Sequence, residues 1–391
     1  FPVRQIIIWR RKGGFNFNPG YFVPTYEVIY LIAKQKFKLA PKANGFGDVW
    51  EFTQEMNNDH PAAFPVDLID RIISSTNAKI ILDPFMGSGT ALLEATLHKN
   101  FKKAYGIDIN PLALLISKVK TIPIEPKVVW SEYHKLIERI LEDQKAVNFK
   151  QKEIEKPNFY NINFWFKPQV ITDLAIIKNN INQVKDEDIK NFFLVAFSET
   201  VRNVSNTRNS EYKLYRMNET MLKKHNPNTI EEFRTQVKDN IEAMKDYFKE
   251  HNPQCKVNIL TEDARNTTSI QDGEVDLVIT SPPYGDSRTT VAYGQFSRLG
   301  LQWLGYDKDS VLNIDRISLG GIPTKDLKNG LGSPTLKETL NKIAEIDAKR
   351  ARDVLSFYVD FDKCVKELNR VTKKGAFLCF VVGNRTVKGV Q

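Results

Sequence analysis

The sequence predicts an α/β fold with a doubly wound, mostly parallel sheet and a helical insertion, and three observations lead to this prediction. Strand patterns alternate with helical patterns over residues 77–125, as is typical of βαβ units. Between about residues 126 and 254 the periodicity is almost wholly helical, and strand patterns return after it. The chain has 391 residues, 41% of them hydrophobic, which is enough for one large domain that carries an insertion.

The first two predicted elements are strands. "QIIIWRR" at residues 5–11 and "TYEVIYLIAK" at residues 25–34 both have strand character. The stretch "KGGFNFNPG" between them is rich in Gly, Asn and Pro. We therefore predict that the two strands form a hairpin.

Two units of strand, turn and helix follow. "NAKIILD" at residues 77–83 ends on Asp83 and continues into the turn "PFMGSGT", and "KAYGIDINP" places Asp108 at the end of the second strand. Glycines in the first turn let a ligand approach the backbone closely, and an acid after the second strand typically holds ribose hydroxyls. The turn lacks the Lys of a phosphate-binding loop and the third glycine of a dinucleotide site. It therefore suits a ligand without a pyrophosphate.

The rest of the chain is first helical and then returns to strands. In the helical stretch, Ser131 and Thr229 are predicted to cap helices. A long helix is predicted between Pro334 and Val371, and Ser333-Pro334 is a typical start signal for it. The remaining predicted strands are "KVNIL" at residues 256–260, a strand over residues 275–279, and "AFLCFVV" at residues 376–382.

Composition limits the classes of protein to which the chain can belong. The net charge is +9, with 56 Lys plus Arg against 47 Asp plus Glu, which is compatible with a polyanionic partner. Cys255, Cys364 and Cys379 are few, scattered and odd in number, so we expect no disulfide framework, no metal site and a reducing, cytosolic-type compartment. No run approaches the ~18 apolar residues of a membrane span, and no secretory signal pattern opens the sequence.

The strand over residues 275–279 is followed by a rigid corner, Ser281-Pro282-Pro283-Tyr284. Proline cannot donate to a ladder, and a residue that precedes proline is pushed away from helical angles. The chain therefore leaves the sheet extended, with a hydroxyl at the exit and an aromatic ring just beyond it.

The turns "DPFMGSGT", "GIDINP" and "TSPPY", each just after a strand, together resemble the S-adenosylmethionine-dependent amino-methyltransferases of DNA. The resemblance covers most of the chain outside the helical insertion. "NDHPAAFPVDLIDRII" at residues 58–73 is similar to the segment of that family that closes over the methionine end of the cofactor. The resemblance implies S-adenosylmethionine as cofactor and double-stranded DNA with one base flipped as substrate. It also implies a prokaryotic, cytoplasmic enzyme, and a cognate restriction endonuclease as a partner.

The resemblance also assigns residues to the cofactor. Asp108 would hold the ribose, and Asp263, in "TEDARN", would face the adenine, the alternative for Asp263 being a solvated acid in a turn. The full set of implied cofactor-binding residues is His60, Pro61, Asp83, Pro84, Phe85, Gly87, Gly89, Asp108 and Asp263.

The corner is then interpreted as the catalytic motif, made of Ser281, Pro282, Pro283 and Tyr284. The lone pair of an exocyclic amino group is delocalised into the base, and acceptors on its N–H groups release it. The Ser281 side chain and the Pro282 carbonyl supply two such acceptors, fixed by the prolines, and Tyr284 supplies a face on which the flipped base stacks. C5-cytosine methylation is disfavoured because it needs a Cys nucleophile, and none lies near these turns.

The methylated base is predicted to be cytosine at N4, because the family form with Ser before Pro-Pro-Tyr is more often associated with that base. A carboxylate accepts more strongly than a hydroxyl, so Ser in place of Asp suits a more reactive amino group. Adenine N6, with which the form with Asp or Asn is associated, is the first alternative. RNA amino-methylation and a DNA-binding subunit without turnover are the further alternatives.

Basic and aromatic residues are interleaved at "SETVRNVSNTRNSEYKLYR" and again after the corner, a composition that suits a nucleic-acid backbone and unstacked bases. A solvated helix face is the alternative for such a run. The candidate DNA-binding residues are Arg202, Arg208, Lys213, Arg216, Arg288 and Arg298. We therefore predict catalytic segments over residues 1–125 and 255–391, and a helical insertion for DNA recognition over residues 126–254.

The order of the strands predicts a circular permutation. A methyltransferase sheet of this kind has seven strands, of which the last two form an antiparallel pair at one edge. Five strands follow residue 76, and no room for the last pair remains after residue 382. We predict that the N-terminal hairpin supplies the pair, so that "TYEVIYLIAK" lies next to "AFLCFVV" or its immediate neighbour. The alternative is that the hairpin is the tail of a second methyltransferase copy located before Phe1.

Overall fold

The computed structural model describes residues 2–11, 22–23, 25–52, 65–208, 213–283, 285, 293–328, 331–383 and 386–390. The strands within these ranges are β1 (Val3–Arg10), β2 (Tyr26–Ala33), β3 (Val49–Glu51), β4 (Ile80–Asp83), β5 (Lys103–Ile107), β6 (Lys256–Leu260), β7 (Val275–Thr280) and β8 (Thr372–Val382). The helices are α1 (Val66–Ser74), α2 (Thr90–Leu97), α3 (Pro111–Thr121), α4 (Pro126–Asn148), α5 (Ile162–Trp165), α6 (Pro168–Asn182), α7 (Glu187–Asn203), α8 (Glu219–Lys224), α9 (Thr229–Glu250), α10 (Tyr293–Leu304), α11 (Lys308–Ile317) and α12 (Pro334–Val371).

The chain divides into two compact units. The first, here called the sheet unit, comprises residues 1–109, 252–291 and 316–391, and the second, the helical unit, comprises residues 110–251 and 292–315. The helical unit therefore begins before residue 126 and includes α10, which follows the corner in the sequence. A helical insertion in this region was predicted, whereas the contribution of α10 had no signal in the sequence.

The sheet contains all the strands of the described residues, in the order β3-β1-β2-β8-β7-β4-β5-β6. The five strands from β8 to β6 are parallel to one another. β2 is antiparallel to β8 on one side and to β1 on the other. The predicted doubly wound, mostly parallel α/β fold is confirmed.

The N-terminal strands occupy the place that the permutation hypothesis predicts. β2 pairs directly with β8, with Tyr30 opposite Phe380 and Ala33 opposite Phe377. β1 lies on the other side of β2, so the antiparallel pair completes the sheet beside the fifth parallel strand. The prediction that the "TYEVIYLIAK" strand adjoins "AFLCFVV" is confirmed.

The short strand β3 was not predicted. It pairs in parallel with β1 and is an eighth strand beyond the seven expected. Aromatic packing holds it, because Trp9 donates from Nε1 to the Phe52 carbonyl at 3.4 Å, and the Arg71 guanidinium lies 5.6 Å from the Trp50 ring and 4.8 Å from the Phe52 ring. Three strand residues are too few to show an alternating pattern in the sequence.

Helix starts were predicted with mixed success. The start of α12 is confirmed, because the Ser333 hydroxyl accepts from the Leu336 backbone N–H. The Ser131 cap is wrong, since α4 begins at Pro126 and contains Ser131. The Thr229 cap is wrong by one residue, because the Asn228 side chain caps α9 by accepting from Glu231 N. Asn and Thr are both good caps, so the two positions were hard to tell apart.

Each unit has its own core. In the sheet unit, α12 packs on the sheet through residues such as Cys364 and Leu368, which share a cluster with Val278 and Leu378. In the helical unit, Trp303 packs edge to face against phenylalanine rings from α7 and from the loops around α5. Within the described residues, no helix is long and apolar enough to cross a membrane.

Candidate active site

The predicted site residues lie at the ends of adjacent strands. Asp83 is the last residue of β4, Asp108 directly follows β5, Asp263 follows β6 and Ser281 directly follows β7. These four strands are parallel neighbours in the order β7-β4-β5-β6, so their carboxyl ends lie at one edge of the sheet. Open α/β sheets bind ligands at this edge.

Asp83 links the end of β4 to the end of β7. Its Oδ1 accepts from the Thr280 hydroxyl at 2.8 Å and from Phe85 N at 3.1 Å. Asp83 is 3% exposed and Thr280 is fully buried. Burial raises the pKa of Asp83 to about 7, the two hydrogen bonds oppose this rise, and the nearby charge of Asp108 adds to it. Thr280 belongs to the "TSPPY" motif, but its contact with Asp83 had no signal in the sequence, because the two residues lie 197 positions apart.

The glycine turn after β4 has an open backbone. Gly87 and Gly89 have φ angles of +50° and +78°, in the left-handed region that favours glycine. Gly87 N donates to Asp108 Oδ2 at 3.0 Å, so the turn and the acid after β5 are joined. A Cβ built on Gly87 would meet no atom within 4 Å. The turn therefore offers space on its outer side and a hydrogen-bonded acid beside it.

Pro84 and Phe85, which directly follow Asp83, have different structural roles. Pro84 is buried, and Phe85 is half-buried and packs against the hydrophobic core that also contacts Leu260. Phe85 therefore has part of its ring available at the strand-end edge of the sheet.

Asp263 forms an ion pair that the sequence analysis missed. The Arg265 guanidinium donates to both Asp263 oxygens, at 2.5 to 2.9 Å, and also to Asp360 Oδ2 at 2.9 Å and to the Ile317 carbonyl at 2.7 Å. Hydrogen bonds from Arg265 thus orient the carboxylate, while 41% of the Asp263 side chain is exposed. The spacing of acid and base in "DAR" was the available signal, but Asp360 is distant in sequence.

In the corner after β7, the two proline carbonyls differ in their hydrogen bonding. The Pro283 carbonyl accepts from Gly285 N at 2.8 Å, and Gly285 has a φ angle of +99°. Within the described part of the chain, no hydrogen bond is formed to the Pro282 carbonyl. Pro282 is buried and Ser281 is half-buried. Among the hydrogen bonds of the described residues, the carbonyl that was assigned as an acceptor is therefore the one without a donor.

The cysteines do not offer a nucleophile. All three are buried and unpaired, and burial raises the pKa of Cys255 to about 11 and of Cys364 and Cys379 to about 12. Thiols with such pKa values hold almost no thiolate at neutral pH. In the part of the chain that is described, no group of His, Cys, Asp or Glu side chains could hold a metal ion.

The predicted DNA-binding residues of the helical unit differ in exposure. Arg202 is 8% exposed and its guanidinium lies 3.9 Å from the Phe296 ring, so it is a packing residue. Arg298 lies 3.7 Å from Asp315 and burial lowers its pKa. Arg208 and Arg216 are half-buried and lie over aromatic rings, and Lys213 is half-buried between them in sequence. His60, Pro61, Tyr284 and Arg288 lie outside the described residues.

A parallel sheet extended by an antiparallel pair, with a glycine turn and acids at the strand ends, defines the class of α/β methyltransferases. Comparisons with known proteins agree. A family model described as DNA methylase matches residues 1–118. A second model, described as D12 class N6 adenine-specific DNA methyltransferase, matches residues 65–302.

Relatives among the Type II methyltransferases point to the same family, and one solved structure is reported beside them for its similarity alone. Type II methyltransferase M.MvaI of Kocuria varians is 44% identical over 387 residues, which cover 93% of this chain and 84% of the relative. Type II methyltransferase M.ScaI of Streptomyces caespitosus is 35% identical over 127 residues, 28% of this chain and 40% of the relative. A solved rRNA methyltransferase, aviRa from Streptomyces viridochromogenes, is 15% identical over 63% of this chain and 71% of its own, with a TM-score of 0.22.

This chain belongs to the Type II DNA methyltransferases, and its family-model matches place it among those that methylate an amino group of a DNA base. Its methyl donor is S-adenosylmethionine, the cofactor of these families.

Proposed function

We propose that the enzyme methylates N4 of a cytosine flipped out of its DNA recognition site, with Ser281 and Pro282 as the catalytic acceptors. The observation that carries the proposal is the Thr280–Asp83 hydrogen bond of 2.8 Å. It joins the residue before Ser281 to the strand end that bears the glycine turn, so the corner and the proposed cofactor turn lie side by side.

The described members of the proposed cofactor-binding set lie in the turn after β4 and at the ends of the neighbouring strands β5 and β6. The turn leaves space for a ligand at Gly87, Phe85 is half-buried beside it, and Asp108 accepts from Gly87 N. In this proposal Asp108 holds the ribose and Asp263, oriented by Arg265, accepts from the adenine amino group. The remaining predicted residues His60, Pro61 and Pro84 complete the proposed set.

The chemistry needs two acceptors on one amino group. S-adenosylmethionine supplies an electrophilic methyl group on a sulfonium sulfur. The Ser281 hydroxyl and the Pro282 carbonyl accept from the two N–H groups of the base and draw the nitrogen towards tetrahedral geometry, which releases its lone pair. Pro282 and Pro283 hold these acceptors in place before the base arrives, and Tyr284 stacks on the base. With the cofactor bound, the N–C bond would form as the C–S bond breaks, the sulfur would keep the bonding electrons as S-adenosylhomocysteine, and the amino group would lose one proton to solvent.

The choice of cytosine N4 is supported by the side chain of Ser281. A hydroxyl is a weaker acceptor than the Asp or Asn side chain found in the adenine-associated form of the motif, so Ser281 suits an amino group that is more reactive and needs less activation. Adenine N6 is the second candidate, and the match of residues 65–302 to the D12 class of N6 adenine-specific enzymes favours it.

The test is to incubate the enzyme with duplex DNA, or with RNA, and S-adenosylmethionine carrying a labelled methyl group. Digestion to nucleosides should place the label in N4-methyldeoxycytidine. Label in N6-methyldeoxyadenosine would assign the second candidate, and label found only in RNA would overturn the proposed substrate. DNA binding without any label would indicate a subunit that lacks turnover.

A Ser281→Ala variant tests the catalytic assignment. Loss of one transition-state hydrogen-bond partner lowers kcat by roughly 10²- to 10³-fold in comparable sites. Cofactor affinity should change little, because Ser281 is assigned to the base. Ser131→Ala, an exposed serine on α4, is the matched control. A variant of Ser281 with full turnover would remove the hydroxyl from the mechanism.

We further propose that the helical insertion over residues 126–254 binds DNA, between the catalytic segments 1–125 and 255–391. Arg208 and Arg216 are the best-placed phosphate contacts, since Arg202 is buried by Phe296. Each Ala substitution at Arg208 or Arg216 should weaken binding and reduce the salt slope by about 1. Lys245→Ala, at an exposed ion pair of the same unit, should leave the slope unchanged.

Three further assignments complete the proposal. Lys213, Arg288 and Arg298 remain candidate DNA contacts, to be tested by the same salt-slope measurement. A cognate restriction endonuclease that recognises the same sequence is the proposed partner system, and the bacterial cytoplasm is the proposed location.

A further inference from the structure

The helical unit carries a segment with unusual surface chemistry, residues 158–164, which leads from a loop into the short helix α5 and is here called the 158–164 loop. The loop by itself lines a cavity of about 430 Å³. Tyr160 and Phe164 expose 66% and 43% of their surface. The loop also exposes three asparagines, and their side chains form no hydrogen bonds within the described residues: Asn158, Asn161 and Asn163.

Contacts beneath the loop hold it in place. The Phe159 ring packs edge to face against Trp303 with 6.0 Å between centroids. The Phe164 carbonyl accepts from Asn206 Nδ2 at 3.1 Å and from Arg216 Nε at 3.0 Å. These contacts fix the backbone and therefore reduce the entropic cost of ordering the loop on binding.

Positive charge lies directly beside the exposed rings. Lys308 Nζ is 4.6 Å from the centre of the Tyr160 ring, and the Arg216 guanidinium is 4.5 Å from that of Phe164. Residues 202–224, which contain Arg216, have six Lys or Arg against two Glu. Cations, aromatic faces and unpaired amides are the groups that contact phosphates, stack on bases and pair with base edges.

We propose that the loop over residues 158–164 contacts base edges of the DNA and determines part of the recognised sequence. The inference rests on the proposed DNA methylation and adds the specificity element to it. Asn158 and Asn163 are the base-reading side chains, because an amide matches adenine N6 and N7 in the major groove. Asn161 has a φ angle of +62° and has a backbone role in shaping the loop.

The experiment compares methylation patterns rather than activity alone. The wild-type enzyme and the variants Asn158→Ala and Asn163→Ala are each used to methylate fragmented genomic DNA, and the modified positions are mapped by sequencing. Asn148→Ala, an exposed asparagine at the end of α4 in the same unit, is the matched control. Thermal unfolding of each variant checks that the fold is retained, as expected for exposed positions.

Relaxed specificity at one base pair is the expected result. Loss of a bidentate amide contact should reduce discrimination there by roughly 10- to 100-fold, with turnover at the wild-type site preserved within a few fold. An unchanged pattern in both variants overturns the inference while DNA methylation stands. An equal loss of methylation at all sequences also overturns the inference, because it indicates that the asparagines contact phosphates and not base edges. A wild-type enzyme that does not methylate DNA overturns the proposed function itself.

Discussion

Removal of the Thr280 hydroxyl is expected to make stability more sensitive to pH. Thr280→Val keeps the shape of the side chain but deletes the donor that lies 2.8 Å from Asp83 Oδ1. Asp83 is 3% exposed, so no water replaces the lost donor. The hydrogen bond favours the charged form of the carboxyl, and its loss should therefore raise the pKa of Asp83 above about 7.

The sign of the effect follows from the two states of the protein. In the unfolded chain Asp83 loses its proton near its ordinary pKa of 3.8, whereas the folded protein keeps the proton until about pH 7. Between these values the folded state binds more protons than the unfolded chain, so stability falls as pH rises. Above pH 7 the free energy of unfolding is lower by about 4 kcal/mol than it is below pH 3.8, through this one carboxyl.

The variant adds a cost that depends on the charge of Asp83. A lost hydrogen bond to a neutral group costs about 1 kcal/mol, and one to an ionised group about 1.5–3 kcal/mol. We therefore expect Thr280→Val to be more destabilising at pH 8.5 than at pH 5.5, by about 1 kcal/mol. Thr280→Ser keeps the donor and loses one methyl group, which costs about 1 kcal/mol at both pH values.

Urea unfolding at the two pH values measures these differences directly. A Thr280→Val penalty that is the same at both pH values, and equal to that of Thr280→Ser, would refute the proposed role of the hydroxyl. A cofactor titration provides a second readout. S-adenosylmethionine is a cation and should favour ionised Asp83, so its affinity should rise from pH 6 to pH 8. Neutral S-adenosylhomocysteine should show no such rise, and parallel profiles for the two ligands would place Asp83 away from the sulfonium.

Three other perturbations test the sheet unit. Gly106→Ala places a Cβ against the buried Met86 sulfur and should destabilise the protein by about 1–3 kcal/mol in urea unfolding, and a neutral effect would contradict this close packing. Arg370 lowers the pKa of Glu367 to about 2, so the stability this pair contributes should be lost as pH falls from about 4.5 through about 2; Glu367→Gln should remove that part of the acid transition. Deletion of residues 1–34 removes two strands and uncovers the edge of β8, and we expect an insoluble product; a soluble, cooperatively unfolding product would argue against a structural need for the pair.

Local patterns in the sequence were sufficient to predict most helices and strands of the sheet unit. β6 and α12 match their predicted bounds at both ends, because an apolar run or a capped amphipathic stretch is complete within its own residues. The break inside α12 was not predicted. Asp347 has φ −157° and ψ 93°, and its side chain accepts from Arg350 N at 3.0 Å, as a cap does at the start of a new helix. A cap signal in the middle of a long helical pattern is easily taken for an exposed polar position.

Contacts between residues that are distant in the sequence could not be predicted from local patterns. The acids at the strand ends were found because each follows a strand, but the Thr280–Asp83 and Arg265–Asp360 contacts join residues 197 and 95 positions apart. Arg202 is a second case in which a contact with a distant residue could not be predicted. Its charge predicted exposure, yet the ring of Phe296, 94 positions away, covers its guanidinium.

The permuted order of the strands leaves the proposed site intact for a physical reason. Hydrogen bonds, and not chain order, decide which strands are neighbours, so β8 is satisfied equally by a partner from either end of the sequence. β2 pairs with β8 over Val28 to Ala33, and the strands β7, β4, β5 and β6 that end at the site lie on the other side of β8. The permutation therefore changes the edge beyond β8 and not the strand ends that hold Asp83, Asp108 and Ser281. A chain with the motifs in a different order can keep the same juxtaposition of cofactor turn and catalytic corner.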